Sequence, residues 1–252
     1  MKKIIIGEDI IKAYKEGSEK HTVLKQVSVE IAEKEFVAVM GPSGSGKSTL
    51  MFALSGMDSI DSGKVIFEDR DLSTLKDKEL SEIRRTKMGF IFQQPTMLKN
   101  LNLLDNILLP SMRDHNKKVT EYSEKARVLM KKTGIAELEK RDITKVSGGQ
   151  LQRAGICRAL MNDPEIIFGD EPTGALNSKS AQEIMDILAK INADGTAILL
   201  VTHDAKIAAQ TERIIFMSDG KVISELKLSK YNGKEIEARV NRITEKMREI
   251  GI

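Results

Sequence analysis

The stretch that decides the fold is EFVAVMGPSGSGKSTLMFALSG, residues 35–56. EFVAVM has the continuously apolar, β-branched character of a strand buried on both faces, and STLMFALSG reads as the opening of a helix. Between them GPSGSGKST, residues 41–49, fits G-x-x-x-x-G-K-[ST], with Gly41, Gly46, Lys47 and Ser48 at the fixed places. Glycines let the backbone wrap phosphate oxygens, and the first N–H groups of the helix have no intrahelical partner. Lys47 reaches the terminal phosphates, and Ser48 can ligate Mg²⁺. The whole run, Gly41, Pro42, Ser43, Gly44, Ser45, Gly46, Lys47, Ser48 and Thr49, is the candidate nucleotide site. A glycine-rich turn without a ligand is the plain alternative, and the strand–loop–helix context argues against it.

Further apolar runs repeat the strand pattern: MGFIF (88–92), EIIFGD (165–170), TAILLVT (196–202) and RIIFMS (213–218). A helical stretch at 177–195 places Ile184, Ile187, Leu188 and Ile191 on one face. This alternation predicts an α/β P-loop NTPase core with a mostly parallel sheet and ligands at the carboxyl ends of its strands. Residues 94–165 break it with Leu-, Lys- and Glu-rich sequence, which predicts an inserted helical subdomain. Segments 3–14 and 64–71 are expected in a small antiparallel edge sheet, and MSDGKVISE (217–225) reads as a hairpin turning at Asp219-Gly220. Beyond residue 226, Ile236, Val240, Ile243, Met247 and Ile250 recur at helical steps, so 227–252 is expected as an amphipathic helix packed on its own domain.

The chain of 252 residues has 40 Lys and Arg against 37 Asp and Glu, a net charge of +3. That balance lacks the basic excess of a dedicated nucleic-acid binder, so no nucleic-acid partner is expected. A single cysteine, Cys157, precludes an internal disulfide and fits a reducing, cytoplasmic setting. It is expected to be a packing residue on the helix after Ser147. No apolar run approaches the roughly 20 residues that span a bilayer.

Two more features carry chemistry. IIFGDE (166–171) ends an apolar strand in adjacent carboxylates, costly unless a cation or substrate needs them. Strand alternation would send them to opposite sides, with Asp170 in the Mg²⁺ shell and Glu171 orienting or activating water. VSGGQLQRAGICR (146–158) opens a helix with Ser-Gly-Gly, a second place able to hold an anion. His203 follows TAILLVT where phosphates should lie, and a γ-phosphate contact is favoured over a satisfied loop histidine.

Taken together, the phosphate loop, Gln93 after MGFIF, SGGQ at 147–150, IIFGDE at 166–171, GALN at 174–177 and His203 resemble the ABC-type ATPase cassette, over essentially the whole chain to about residue 226. The FQQ and DEPTGALNSK stretches resemble the ATPases of macrolide- and lipoprotein-exporter systems, and most closely the bacitracin- and antimicrobial-peptide-resistance group of Gram-positive bacteria. The resemblance implies an ATPase using ATP and Mg²⁺, with catalytic Glu171, His203 and Gln93. It places Mg²⁺ on Ser48, Gln93 and Asp170. Tyr14 would stack on adenine, with a strand-end aromatic as the alternative. Ser147, Gly148, Gly149, Gln150 and Asn177 would meet a nucleotide held by a second, identical cassette in a head-to-tail pair. A separate membrane permease would complete the transporter and hold the chain at the inner face of the membrane. Val146 and Asn177 depart from the family's usual Leu and Asp; Asn177 serves equally as a helix N-cap. Met97, Leu98 and Leu101 could line a permease groove or simply fill the core. Two other members of the superfamily remain as alternatives: a DNA-acting ATPase and a translation factor. The first carries a long coiled coil between phosphate loop and SGGQ, where this chain has room only for a small insert. The second carries two cassettes, where this chain shows one.

Overall fold

A computed structural model describes residues 2–17, 19–112 and 119–252. In chain order, two long strands, β1 (Lys3–Glu16) and β2 (Glu19–Ala32), precede β3 (Phe36–Met40), the phosphate loop and α1 (Lys47–Leu54). There follow β4 (Ser62–Phe67), β5 (Arg70–Asp71), α2 (Asp77–Lys87) and β6 (Met88–Phe92). Three helices come next, α3 (Leu103–Leu108), α4 (Val119–Lys132) and α5 (Gly148–Leu160), and the chain then returns to β7 (Ile166–Asp170). It closes with α6 (Ser178–Ala193), β8 (Ala197–Val201), α7 (Ala205–Ala208), β9 (Arg213–Ser218), β10 (Lys221–Lys227) and α8 (Ile236–Glu249).

The strands form two sheets. One is antiparallel in the order β2-β1-β4-β5; the other has the order β10-β9-β3-β8-β7-β6. In the second, β6, β7, β8, β3 and β9 run parallel and only β10 is antiparallel. Every residue of β3 and β8 is buried, as continuously apolar strands require when both faces are covered. The β9–β10 hairpin turns at Asp219 and Gly220, both with positive φ (48° and 77°), the conformation that Asp-Gly adopts at least cost.

The layers explain the composition of the core. Helix α1 lies between the two sheets, and its Leu50, Met51, Ala53 and Leu54 join apolar residues from both. On the opposite face of the parallel sheet, Ile184, Met185, Leu188 and Ile191 of α6 pack with Ile167, Ile198 and Leu200. The helical region has its own core, centred on Leu103, Ile107, Met130, Ala154 and Cys157. Helix α5 belongs to two cores at once, since Ile156, fully buried on its other side, packs with α6. Burial pushes the Cys157 thiol up to about 12, with the nearby Thr133 hydroxyl pulling the other way. The C-terminal helix is shorter than the expected 227–252, because β10 runs to Lys227 and α8 begins only at Ile236; its Ile236, Val240, Ile243 and Met247, with Ile250 at the C-cap, pack against α7 and the underside of β3 and β9.

Segment 64–71 falls in the edge sheet as expected, divided between β4 and the short β5, whereas β2 and α2 were not read from the sequence. β2 alternates buried and exposed residues too irregularly across its register shifts to announce itself. α2 buries only Ile83. β5 has two residues. Met97 packs into the helical core while Leu98 is half exposed, so the stretch after the glutamines is divided between the two readings offered for it.

Candidate functional site

The phosphate loop leaves the carboxyl end of β3, at the centre of the parallel sheet, and enters α1 at Lys47. Two of its glycines are required for different reasons. At Gly41 a Cβ would fall 2.1 Å from the Met217 carbonyl oxygen of β9, so the backbone runs too close to its neighbour for any side chain. At Gly44 nothing lies within 4 Å of a Cβ, and the demand is conformational, φ +79°. Lys47 Nζ donates to the carbonyls of Gly41 (2.9 Å) and Pro42 (2.8 Å), so its ammonium arches over the loop. Burial lowers its pKa, against the opposing pull of Glu171 and Asp170. Ser45 Oγ is buried in the loop with no hydrogen-bond partner among the described residues.

Ser48 Oγ donates to Asp170 Oδ1 at 2.9 Å, closing a link over 122 positions of sequence. Asp170 ends β7, and burial raises its pKa, reinforced by Glu171 and opposed by Ser48 and Lys47. A hydroxyl beside a desolvated carboxylate is the hard, oxygen-only donor set that suits Mg²⁺, which is ordinarily bound by one or two carboxylates plus substrate phosphates. No cluster of three or more His, Cys, Asp or Glu able to hold a metal is found among the described residues. A divalent cation here would offset the burial penalty of Asp170.

The two carboxylates do part ways, though not by strand alternation. β7 ends at Asp170, and Glu171 takes a left-handed conformation (φ 47°) while its N–H donates to the Val201 carbonyl. Such a conformation costs a non-glycine residue about 1–3 kcal/mol and is found mainly where function demands it. Glu171 Oε1 meets His203 Nδ1 at 2.7 Å. His203 thus contacts the carboxylate beside the phosphate site. The side chain is 72% exposed, on a loop shaped by Thr202 Oγ1 accepting from the Asp204 N–H and by Asp204 capping α7.

Gln93 sits directly after β6, and a Cβ on Gly174 would be 2.9 Å from its Nε2, so its amide lies against the turn that follows Glu171. That contact favours Gln93 over Gln94. Sequence reading passed over its anchor: Gln152 of α5, 1% exposed, donates from Nε2 to the Phe92 carbonyl at 2.9 Å. Tyr14, near the end of β1, is 42% exposed, and its hydroxyl donates to Asp58 Oδ2 at 2.6 Å.

The SGGQ run stands apart. Ser147 is the N-cap of α5 in a reciprocal box, with Gln150 N–H donating to Ser147 Oγ (3.3 Å) and Ser147 N–H donating to Gln150 Oε1 (2.8 Å). Ser147 and Gly148 are exposed, and a Cβ on Gly149 would touch Ser180 of α6 at 3.3 Å. Asn177 caps α6 through Ser180 N–H at 2.9 Å, one of the two roles weighed for it.

With this arrangement in view, comparison with known proteins gives a consistent answer. The family model described as "ABC transporter" matches residues 24–174. The chain belongs to that family. Its fold is the ABC ATPase cassette: the dimeric post-hydrolysis structure of the ATP-binding cassette MJ0796 bound to ADP and Pi superposes with a TM-score of 0.83 at 39% identity, covering 90% of this chain and 100% of that one. In sequence, the ABC transporter ATP-binding protein MJ0796 of Methanocaldococcus jannaschii is 41% identical over 232 residues, 90% of this chain and 98% of that protein. The lipoprotein-releasing system ATP-binding protein LolD of Aquifex aeolicus is 39% identical over 226 residues, 90% and 99% of the two chains. The macrolide export ATP-binding/permease protein MacB of Pasteurella multocida is 41% identical over 218 residues, 86% of this chain but 33% of that protein. The chain therefore spans about a third of the length of its MacB relatives. It is an ATP-hydrolysing ABC cassette, and no described helix is long and apolar enough to cross a membrane.

Proposed function

We propose that this cassette is the energy-coupling subunit of a membrane exporter, working as a head-to-tail pair of identical chains on a separate permease at the inner face of the membrane. The observation that carries it is the contrast between a phosphate loop joined to Asp170 through Ser48 and an SGGQ helix start turned to solvent. In a C₂ pair each exposed SGGQ would cover the nucleotide on its mate's phosphate loop, and Asn177, beside it at the start of α6, would share that interface.

In this reading Tyr14 stacks on adenine, and residues 41–49 wrap the phosphates with backbone N–H groups. Lys47 moves its ammonium from the loop carbonyls to the terminal phosphates, where developing charge needs it. Mg²⁺ would be held by Ser48, Asp170 and Gln93, and would supply charge neutralisation on the phosphate oxygens. Glu171 orients the attacking water and accepts its proton. His203, tethered to Glu171 through Nδ1, fixes the carboxylate and leaves its other ring nitrogen for a γ-phosphate oxygen. Gln93, pressed on the turn after Glu171, carries the signal from the permease side.

Permease coupling is supported by the relatives: MacB is named an ATP-binding/permease protein and LolD the ATP-binding protein of a releasing system. The narrower reading, an antimicrobial-peptide-resistance exporter of the bacitracin type, rests on FQQ at 92–94 and DEPTGALNSK at 170–179. The test is isolation of the tagged Glu171→Gln chain from membranes in the presence of ATP. Co-purification of a multi-span protein is expected. Recovery with DNA or ribosomes, and no membrane protein, would instead favour the soluble superfamily ATPases.

A further inference from the structure

The turn that follows α1 is bound to β1 more thoroughly than a surface connection needs. Lys12, 7% exposed, donates from Nζ to Asp58 Oδ1 (2.7 Å) and to the Ser59 carbonyl (2.6 Å). The Ala13 N–H donates to Asp61 Oδ2 at 2.7 Å, and the Asp61 N–H donates to the Ile11 carbonyl at 2.8 Å. Within this lattice stands Tyr14. Lys12 and Tyr14, two apart on a strand, share a face, and the Lys12 ammonium lies over the Tyr14 ring, 4.9 Å from its centroid. The hydroxyl is tied to Asp58 at 2.6 Å, and the Thr49 hydroxyl at the end of the phosphate loop also reaches it.

Both degrees of freedom of the ring are thereby taken. Asp58 fixes where its far end points, Lys12 occupies one face, and the side chain as a whole remains 42% exposed. Asp58 receives bonds from both residues, which together outweigh burial and hold its carboxyl below the usual range; it remains ionised and keeps both partners. A cation on one face draws electron density from the ring, and a purine, rich in π-electrons, stacks on the other face to advantage.

We propose that Asp58 and Lys12 are positioning residues for base recognition: they lock Tyr14 as a one-faced platform, so that the affinity contributed by the purine depends on residues that never touch the nucleotide. This rests on the reading of Tyr14 as the adenine-stacking residue. The platform presents a π-face and no base-edge hydrogen bond from these three residues, so it acts on purines as a class.

The test compares two ligands of the intact chain, ADP and ribose 5′-diphosphate, which carries the same sugar and phosphates without the base. Dissociation constants are measured calorimetrically for the wild type, Tyr14→Ala, Tyr14→Phe, Asp58→Asn, Lys12→Met and the double variant Tyr14→Phe/Asp58→Asn. Asp58→Asn preserves shape should the larger truncation to Ala impair folding. We expect Asp58→Asn and Lys12→Met to weaken ADP by roughly 3- to 10-fold, the range of one lost hydrogen bond or cation–π contact, and to leave ribose 5′-diphosphate unchanged. The double variant should bind ADP less weakly than the two single effects multiplied, since the hydroxyl is one of the two links, with Lys12, through which Asp58 acts. If Tyr14→Ala weakens ADP selectively but Asp58→Asn and Lys12→Met do not, the positioning role is overturned while the stacking reading stands. Equal weakening of both ligands by Asp58→Asn or Lys12→Met would also overturn it, because the lattice would then serve the phosphate loop. If Tyr14→Ala itself spares ADP, both the platform and the inference fall.

Discussion

The phosphate loop and the SGGQ helix start of this cassette are built on different plans. The first, at the carboxyl edge of the parallel sheet, is assembled from β3, α1, β7 and the loop after β8, and is bonded across the chain: Ser48 to Asp170, Glu171 to His203, Lys47 over its own loop. The second, the start of α5, bonds within itself through the Ser147–Gln150 box among the described residues, and its leading residues are exposed. A site whose charged groups already find partners within one chain, with Ser45 Oγ left unpartnered in the loop among the described residues, needs only substrate. A helix start whose cap closes on itself, facing solvent, needs a second surface before it can close over anything. Under the proposed function, the difference explains how one chain could use two phosphate-binding elements without redundancy.

The sharpest way to break that comparison is Glu171→Gln. Turnover should fall about 10²–10⁴-fold while ATP binding survives, measured as phosphate release and nucleotide affinity; turnover near wild type would remove Glu171 from the first site. Within α5 the contrast can be sharpened by chemistry, because Cys157 lies on the same helix as exposed Gly148 yet is fully buried. With its thiol pushed up to about 12, labelling by a disulfide reagent at pH 8 should run about 10³-fold slower than for an ordinary thiol. Unfolding in urea should restore it, and rapid labelling of the native chain would show that this helix is not held as described.

Mixing two disabled chains tests whether the second plan works in trans. Lys47→Ala and Ser147→Arg should each lose about tenfold or more of their hydrolysis, the first by binding and the second at closure. Their mixture should exceed the sum of its parts, since one intact phosphate loop then meets one intact SGGQ. No gain on mixing would place the second site outside an interface. The smallest effect is expected at Asn177→Ala. Loss of the cap on α6 should cost about 1 kcal/mol, read as a drop in Tm of about 2–4 °C. Any larger loss of turnover than of stability would expose the intersite contact also assigned to Asn177.

Much of this architecture is legible in order along the chain, because buried parallel strands must be continuously apolar and a phosphate loop must sit between strand and helix. β3, β6, β7, β8 and β9 each fall within one residue at either end of an apolar run visible in the sequence. The elements that escaped notice are those whose residues face solvent on one side: β2 with its shifting register, and α2 with a single buried apolar residue, Ile83. Their positions are set by what they lie against.

The candidate site divides along the same line. The sequence by itself determined which residue types stand at the strand ends, namely the phosphate loop, the Asp170-Glu171 pair, Gln93 and His203, and at the start of α5, SGGQ. Local spacing is enough to mark them, since each is tied to a single strand–loop or loop–helix junction. Only the tertiary structure decided their partners. That Ser48 meets Asp170, that Glu171 leaves its strand in a left-handed turn to meet His203, that Gln152 holds the end of β6, and that Asp58 holds both Lys12 and Tyr14 are all contacts between distant segments. Such contacts depend on sheet order and on where a turn is pinned. No local periodicity records them, because the chain brings those residues together only once the layers have packed.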